Sequence, residues 1–107
     1  MLGAMSETVL QLEGRLESSV VPAFQQRLSE ASVLGTERLL LDLSRVNFIG
    51  SAALRAILVT AKRLGATGGK LAVFATPQVA QVFTVSGLDA VLPVHLSLAQ
   101  ARDALTG

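Results

Sequence analysis

The chain has 107 residues, a formal net charge of +1 and no cysteine. This length is typical of one domain, and the scattered Lys and Arg residues give no indication of a nucleic-acid partner. The lack of cysteine excludes disulfides, thiolate metal sites and a cysteine nucleophile, and it fits a reducing cytoplasm.

The N terminus reads MLGAMSET, with no basic region followed by a long apolar run, so it does not resemble a signal peptide. We interpret residues 1–5 as an N-terminal extension, either an alternative start or a cloning remnant. No stretch approaches the ~20 apolar residues that cross a bilayer. We therefore expect one cytoplasmic domain over residues 6–107, without direct membrane insertion.

The first predicted elements are a short strand and an amphipathic helix. Apolar and polar residues alternate over residues 8–13, which predicts a strand closed by Gly14. From Ser18 onward, apolar residues recur every three or four positions, which predicts a helix that ends at Gly35. We expect Ser18 or Ser19 to cap this helix.

A strand and a second helix follow. Residues 39–43 are nearly all apolar, which predicts a strand covered on both faces. Ser51 stands where this segment meets the next helix, and we expect its side chain to cap the helix N terminus. Gly65 is the predicted C-terminal cap. The predicted apolar face of the helix comprises Leu54, Ile57, Leu58, Ala61 and Leu64.

The remaining elements repeat the alternation of strand and helix. Residues 70–75 predict a strand, Pro77 begins a helix, residues 91–94 predict a short strand, and residues 97–105 predict a last helix. Short connections between alternating strands and helices imply an α/β fold with helices packed on a central, partly parallel sheet.

Two features of the sequence suggest a functional site, a phosphate-binding loop and a lone histidine, but neither meets the requirements of such a site. In the glycine-rich segment 65–70, Leu64 stands where a Walker loop needs glycine and Leu71 where it needs Ser or Thr, so we predict a flexible turn. His95 is the only histidine, and without a second histidine or a cysteine we expect it to be a surface or edge residue, not a metal ligand. We expect no metal, no cofactor and no enzymatic activity.

The predicted position of Ser51 suits a functional role in addition to helix capping. A hydroxyl at a helix N terminus faces solvent near unpaired N–H groups and the positive end of the helix dipole. A phosphoryl group attached there would add a charge of about −2 that the fold tolerates, so that the surface changes sign while the domain stays folded. A binding switch needs this combination.

Four segments in order resemble one family. They are Gly-Arg-Leu-Glu at 14–17 with Pro-Ala-Phe at 22–24; residues 40–44 with Val-Asn-Phe-Ile at 46–49; Gly-Ser-Ala-Ala-Leu at 50–54; and residues 69–71 with Phe83, residues 86–88 and Val91. They resemble the G-x-L-D segment, central strand, D-S-S-G-L signature and C-terminal pattern of STAS domains. Within STAS domains, the chain is most similar to the bacterial anti-sigma factor antagonists.

The resemblance implies a fold, a partner and a switch. The STAS fold has a small mixed central sheet of about four strands with about four helices packed on it. In that family the unphosphorylated domain binds an anti-sigma factor serine kinase. Phosphorylation of the serine just before the helix releases the domain from the kinase, and a metal-dependent serine phosphatase removes the phosphoryl group. Ser51 occupies the position of that serine. The implied partner-binding residues are Glu17, Asn47, Gly50, Ser51, Ala52, Arg55 and Lys62.

Two alternative functions remain, and departures from the family signature keep the first of them open. Gly50 replaces an acidic or polar residue, Ala52 a second hydroxyl and Ala53 a glycine, while Glu17 stands for an aspartate. One alternative is a cytoplasmic STAS accessory subunit of a lipid-trafficking ABC transporter, in which the helix after Ser51 packs permanently on a transporter component. The other, a hydrolase, needs His95 within hydrogen-bond reach of Ser51.

Overall fold

The computed structural model describes residues 7–32 and 38–106. These residues form four strands, four α-helices and two short 3₁₀ turns at Ser18–Val20 and Leu88–Ala90. In chain order the elements are β1 (Glu7–Leu16), α1 (Val21–Ala31), β2 (Arg38–Ile49), α2 (Ser51–Ala66), β3 (Lys70–Ala75), α3 (Pro77–Val85), β4 (Val94–His95) and α4 (Leu98–Thr106). The predicted extension at residues 1–5 and the predicted helix end at Gly35 lie outside the described residues.

The four strands form one sheet in the order β1-β2-β3-β4. Each neighbouring pair is parallel, so among the described residues the sheet is parallel throughout rather than mixed. A parallel pair needs a crossover connection, and α1, α2 and α3 supply the three crossovers. The predicted α/β STAS fold with four strands and four helices is confirmed.

The sheet is covered on both faces along β2, as predicted. Leu39, Leu41 and Leu43 are fully buried in the main core, which lies under α1, α2 and α3. Leu40 points to the opposite face and is also fully buried, in a smaller cluster with Ala72, Ala101 and Leu105. Helix α4 provides the last two of these residues and so closes the second face.

Strands β1 and β2 continue beyond the rest of the sheet. Leu43 pairs with Ala75 at the end of β3, and residues 45–49 of β2 then pair only with residues 13–16 of β1. We call this two-stranded part the β1–β2 projection. Gly14 lies inside it with φ +82°, next to a register shift, so the predicted strand end at Gly14 is wrong. Glycine adopts this left-handed conformation without steric cost, and the strand continues past it.

The start of α1 also differs from the prediction. Neither Ser18 nor Ser19 caps the helix with its side chain, because both belong to the 3₁₀ turn Ser18–Val20. Helix α1 begins at Val21 with Pro22 in its first turn. The missing N–H of that proline costs no hydrogen bond there.

The glycine-rich segment 65–70 is a helix-to-strand turn, as predicted, although Gly65 is not the cap. Helix α2 continues to Ala66, and Gly68 adopts φ +83°. The N–H of Gly69 donates to the carbonyl of Leu64 at 2.8 Å, and that of Gly68 donates to Gly65 at 3.1 Å. This pair of bonds is a Schellman motif, which satisfies the last carbonyls of the helix.

The C-terminal elements follow the prediction with one shift. Strand β3 and the start of α3 at Pro77 are confirmed, and the Thr76 hydroxyl accepts from Val79 N–H to cap α3. The last strand is β4 at Val94–His95 rather than residues 91–94, since Leu92 N–H bonds to Leu88 in the preceding turn. Across the described ranges, no helix has the length and apolar character that spanning a membrane requires.

Candidate functional site

Ser51 is the first residue of α2, not its cap. Gly50 holds the N-cap position with φ −94° and ψ 172°, and its carbonyl accepts the N–H of Leu54 at 3.1 Å. Gly50 N–H donates to Leu16 at 3.0 Å, which joins the helix start to the end of β1. The predicted cap is therefore wrong, because the helix begins one residue earlier. The exposed Ser51 hydroxyl forms no hydrogen bond within residues 7–32 and 38–106.

Next to Gly50, the residue before Ser51, the β1–β2 projection presents an exposed aromatic ring. Phe48 is 39% exposed, and a side chain added at Gly50 would lie 3.6 Å from its Cε2 atom. The Arg15 guanidinium carbon lies 4.4 Å from the Phe48 ring centroid, and Arg15 Nε lies 3.2 Å from Glu17 Oε2. An aromatic ring, a cation and a carboxylate therefore lie together beside the serine.

Ser51 also borders a shallow depression of about 260 Å³, which we call the Ser51 depression. Three leucines supply its apolar surface and two serines and an arginine its polar rim: Ser51, Leu54, Arg55, Leu58, Ser86 and Leu88. The hydroxyl of Ser86 already donates to the Phe83 carbonyl at 3.0 Å. Ser51 is thus the hydroxyl without a protein partner at this depression.

The structure brings most of the predicted site residues together. Glu17, Gly50 and Ser51 meet where β1 and β2 end, and Asn47 is the extra residue of a bulge in the β1–β2 projection. Ala52, Arg55 and Lys62 are exposed on α2. Lys62 is eleven residues beyond Ser51, about 16 Å along the helix axis, and lies apart from the others. Their role in partner binding stays a prediction.

Sequence reasoning did not select six residues near this site. Four of them line the Ser51 depression and two form the cation–aromatic contact near Gly50: Leu54, Leu58, Ser86, Leu88, Arg15 and Phe48. The spacing of apolar residues in β2 could have indicated that Phe48 is exposed. The buried residues change from a spacing of two to a spacing of three at Leu43, Val46 and Ile49. In a strand each such step requires a bulge, and two bulges turn Phe48 outward.

Nothing in the described part of the chain adds catalytic machinery to Ser51. No group of three or more His, Cys, Asp or Glu residues among them is placed to hold a metal ion. His95 lies on the edge strand β4, as predicted, and its buried Nε2 has no hydrogen-bond partner among the described residues. The hydrolase alternative therefore lacks the Ser51–His95 hydrogen bond that it requires. A wider depression of about 460 Å³ between β1 and α1 is lined by none of the predicted site residues.

We expect Gly50→Asp to stabilise the domain. The backbone of Gly50 is already in the extended conformation of an N-cap, and an added Cβ meets its neighbours at ordinary contact distance. The new carboxylate would accept a hydrogen bond from the first turn of α2 at the positive end of the helix dipole. The Gly50→Ala variant controls for the added Cβ, and the aspartate should be about 1 kcal/mol more stable than it, or roughly 5 °C in Tm. Equal Tm values in thermal unfolding would contradict the cap geometry.

Comparisons with known proteins identify the family of this chain. The family model described as the STAS domain matches residues 3–101. A protein from Bordetella bronchiseptica, named as the anti-sigma factor antagonist BtrV, is 34% identical over 84 residues, which cover 78% of this chain and 72% of that protein.

Two solved structures are also similar. An anti-sigma factor antagonist from Mycobacterium paratuberculosis superposes with a TM-score of 0.85 at 27% identity, covering 92% of this chain and 85% of the other. The anti-sigma factor antagonist SpoIIAA in its unphosphorylated form superposes with a TM-score of 0.75 at 25% identity, covering 94% and 90%. The chain therefore belongs to the STAS domain family, among the anti-sigma factor antagonists.

Proposed function

We propose that this protein is an anti-sigma factor antagonist that binds an anti-sigma factor serine kinase while Ser51 is unphosphorylated, and that phosphorylation of Ser51 releases it. The observation that carries the proposal is the exposed hydroxyl of Ser51, which borders the Ser51 depression and forms no hydrogen bond within residues 7–32 and 38–106. A kinase needs such access to a hydroxyl. The relatives named as antagonists support this function over that of a transporter subunit.

The surface around Ser51 has the composition of a docking site. Phe48 is an exposed aromatic residue, a type that is common among the residues that dominate binding energy. Helix α2 carries the cations Arg55, Lys62 and Arg63 and has no acidic residue. This face therefore complements an acidic partner surface, which speeds association and specifies orientation.

The switch is a phosphoryl transfer in which the partner supplies the catalytic groups. The Oγ atom of Ser51 attacks the γ-phosphorus of ATP, an O–P bond forms, and the bond from the γ-phosphorus to the β–γ bridging oxygen breaks to release ADP. The hydroxyl proton goes to a base of the kinase. A serine phosphatase then hydrolyses the phosphoserine and restores the binding form. This protein acts as ligand and substrate.

SpoIIAA offers a parallel for a domain of this fold in two states, because it has been solved in an unphosphorylated and in a phosphorylated form. Here the first turn of α2 is exposed at Ser51 and Ala52, so an added phosphoryl group displaces no buried side chain. The domain is therefore expected to keep its fold in both states, with the change confined to its surface.

Incubation with the kinase and ATP tests the proposal directly. We expect intact-mass spectrometry to show one added phosphoryl group on the wild type and none on Ser51→Ala. The matched control is Ser86→Ala, since Ser86 borders the same depression but its hydroxyl is bonded to Phe83. Phosphorylation that persists in Ser51→Ala, or that is absent from the wild type, would contradict the assignment.

A further inference from the structure

Arg55 lies one helical turn beyond Ser51 on the same side of α2. Four residues advance the helix by about 6 Å and rotate it by about 40°, so the two side chains are neighbours. Both border the Ser51 depression. Arg55 also borders a groove of about 280 Å³ between α1 and α2, and so it stands on the ridge between two open spaces. Its exposed side chain has room to turn to either side.

The Arg55 guanidinium has no hydrogen-bond or ion-pair partner within the described structure. It forms no hydrogen bond or ion pair with any residue of 7–32 or 38–106, in contrast to several arginines of this chain. Examples are the contacts of Arg15 with Glu17, Arg27 with the Gln11 carbonyl, Arg63 with Ser32 and Arg102 with Glu7. No hydrogen bond or ion pair to a described residue therefore has to break before Arg55 binds a new anion.

We propose that Arg55 binds the phosphoryl group of phosphorylated Ser51 within the same helix. A guanidinium presents paired N–H donors that match two phosphate oxygens, and such charge-assisted bonds are stronger than neutral ones. The order is also favourable, because an anion is best placed four residues before its cation on a helix. This inference rests on the proposed function only for the presence of the phosphoryl group; the geometry of Ser51 and Arg55 is independent of it.

Phosphorylation would therefore change the charge of the docking face in two ways. It adds negative charge at Ser51, and it also withdraws Arg55 from the cationic face of α2 that would meet an acidic partner. The other charged groups near the site are less well placed for the phosphate. Arg15 already contacts Phe48 and Glu17, Lys62 lies seven residues further along α2, and Asp89 follows Leu88 at the depression with a charge that repels phosphate.

The test uses full-length protein with phosphoserine placed at position 51 during translation, so that no kinase is needed. A ³¹P NMR titration then measures the midpoint of the second phosphate ionisation in the wild type and in Arg55→Ala. A nearby cation favours the dianion, so we expect the midpoint to rise by about 0.4 of a pH unit when Arg55 is removed. The Arg55→Lys variant keeps the positive charge but loses the paired N–H donors of the guanidinium. Its midpoint should therefore lie between those of the wild type and Arg55→Ala.

Lys62→Ala is the matched control, because it removes a cation from the same helix outside the depression and should leave the midpoint unchanged. Equal midpoints in wild type and Arg55→Ala would overturn the proposal. Equal shifts in Arg55→Ala and Lys62→Ala would also overturn it, because they would indicate the general field of the helix. Thermal unfolding of the unphosphorylated variants checks that each one folds.

This experiment separates the inference from the proposed function. If the kinase leaves Ser51 unmodified but the titration shows the Arg55 effect, the proposed function fails and the inference stands. If the kinase phosphorylates Ser51 but Arg55→Ala leaves the midpoint unchanged, the inference fails and the proposed function stands.

Discussion

Phosphorylation of Ser51 is expected to lower the affinity for the anti-sigma kinase by more than a hundredfold. Ser51 is exposed and borders the apolar Ser51 depression, and the exposed Phe48 ring lies near the preceding Gly50, so a partner docked on these surfaces would cover Ser51. A phosphoryl group of about −2 charge would then lose its water against the acidic or nucleotide-bearing surface of the partner. A loss of ~3 kcal/mol corresponds to a change of this size in Kd.

Isothermal titration calorimetry of the kinase with unmodified and phosphorylated protein measures the effect. Ser51→Ala should bind like the wild type, because the hydroxyl makes no bond within the described residues whose loss would disturb α2. Ser51→Glu adds one charge instead of two and should lower the affinity by a smaller factor. If the phosphorylated protein binds within threefold of the unmodified one, Ser51 is not the switch.

Phe83→Ala is expected to lower the free energy of unfolding by about 3–5 kcal/mol. Phe83 is fully buried in the main core, where α3 packs against the sheet, and its removal leaves a cavity that the neighbours cannot fill completely. Typical domains are stable by about 5–15 kcal/mol, so this single change removes a large part of the total. Urea denaturation followed by circular dichroism gives the value.

The control for this variant is Val85→Ala on the same helix. Val85 is 76% exposed, so its truncation should change the free energy of unfolding by less than about 0.5 kcal/mol. The two variants compare a buried and an exposed apolar residue in one element. A Phe83→Ala loss no larger than that of Val85→Ala would show that α3 does not pack as described.

Much of the fold could be predicted because strong local patterns determine it. The apolar run at residues 39–43 required cover on two faces, and the main core and α4 provide it. Strand β3 and the start of α3 at Pro77 followed from alternation and from the fixed φ of proline. The alternation of strand and helix was enough to predict helices packed on a partly parallel sheet, but not that every described strand pair is parallel.

The errors arose where backbone conformation outweighs residue preference. The residue preferences at Gly14 and Gly65 predict element ends, yet glycine also fits inside a bulged strand and inside the last turn of a helix. Serine favours the N-cap, which predicts a cap at Ser51, but the extended backbone and hydrogen bonds of Gly50 place the helix start one residue earlier. The local sequence contains no sign of the long-range bond from Gly50 to β1.

The candidate site was predictable in part for a related reason. Ser51 and its neighbours in sequence lie together because they are consecutive. Phe48 and Arg15 meet only because two bulges bring β1 and β2 into a new register, and Ser86 and Leu88 reach Ser51 only through tertiary packing. Contacts of this kind depend on the whole fold rather than on the spacing of residues along one element.

The order of strands has a consequence for synthesis on the ribosome. The chain leaves the ribosome from its N terminus, and because the sheet order is β1-β2-β3-β4, each strand emerges just after the strand that it pairs with. Each described strand can therefore pair with the strand before it as soon as both have left the ribosome. The β1–β2 projection and Ser51, the proposed phosphoacceptor, are therefore translated before β3 begins at Lys70.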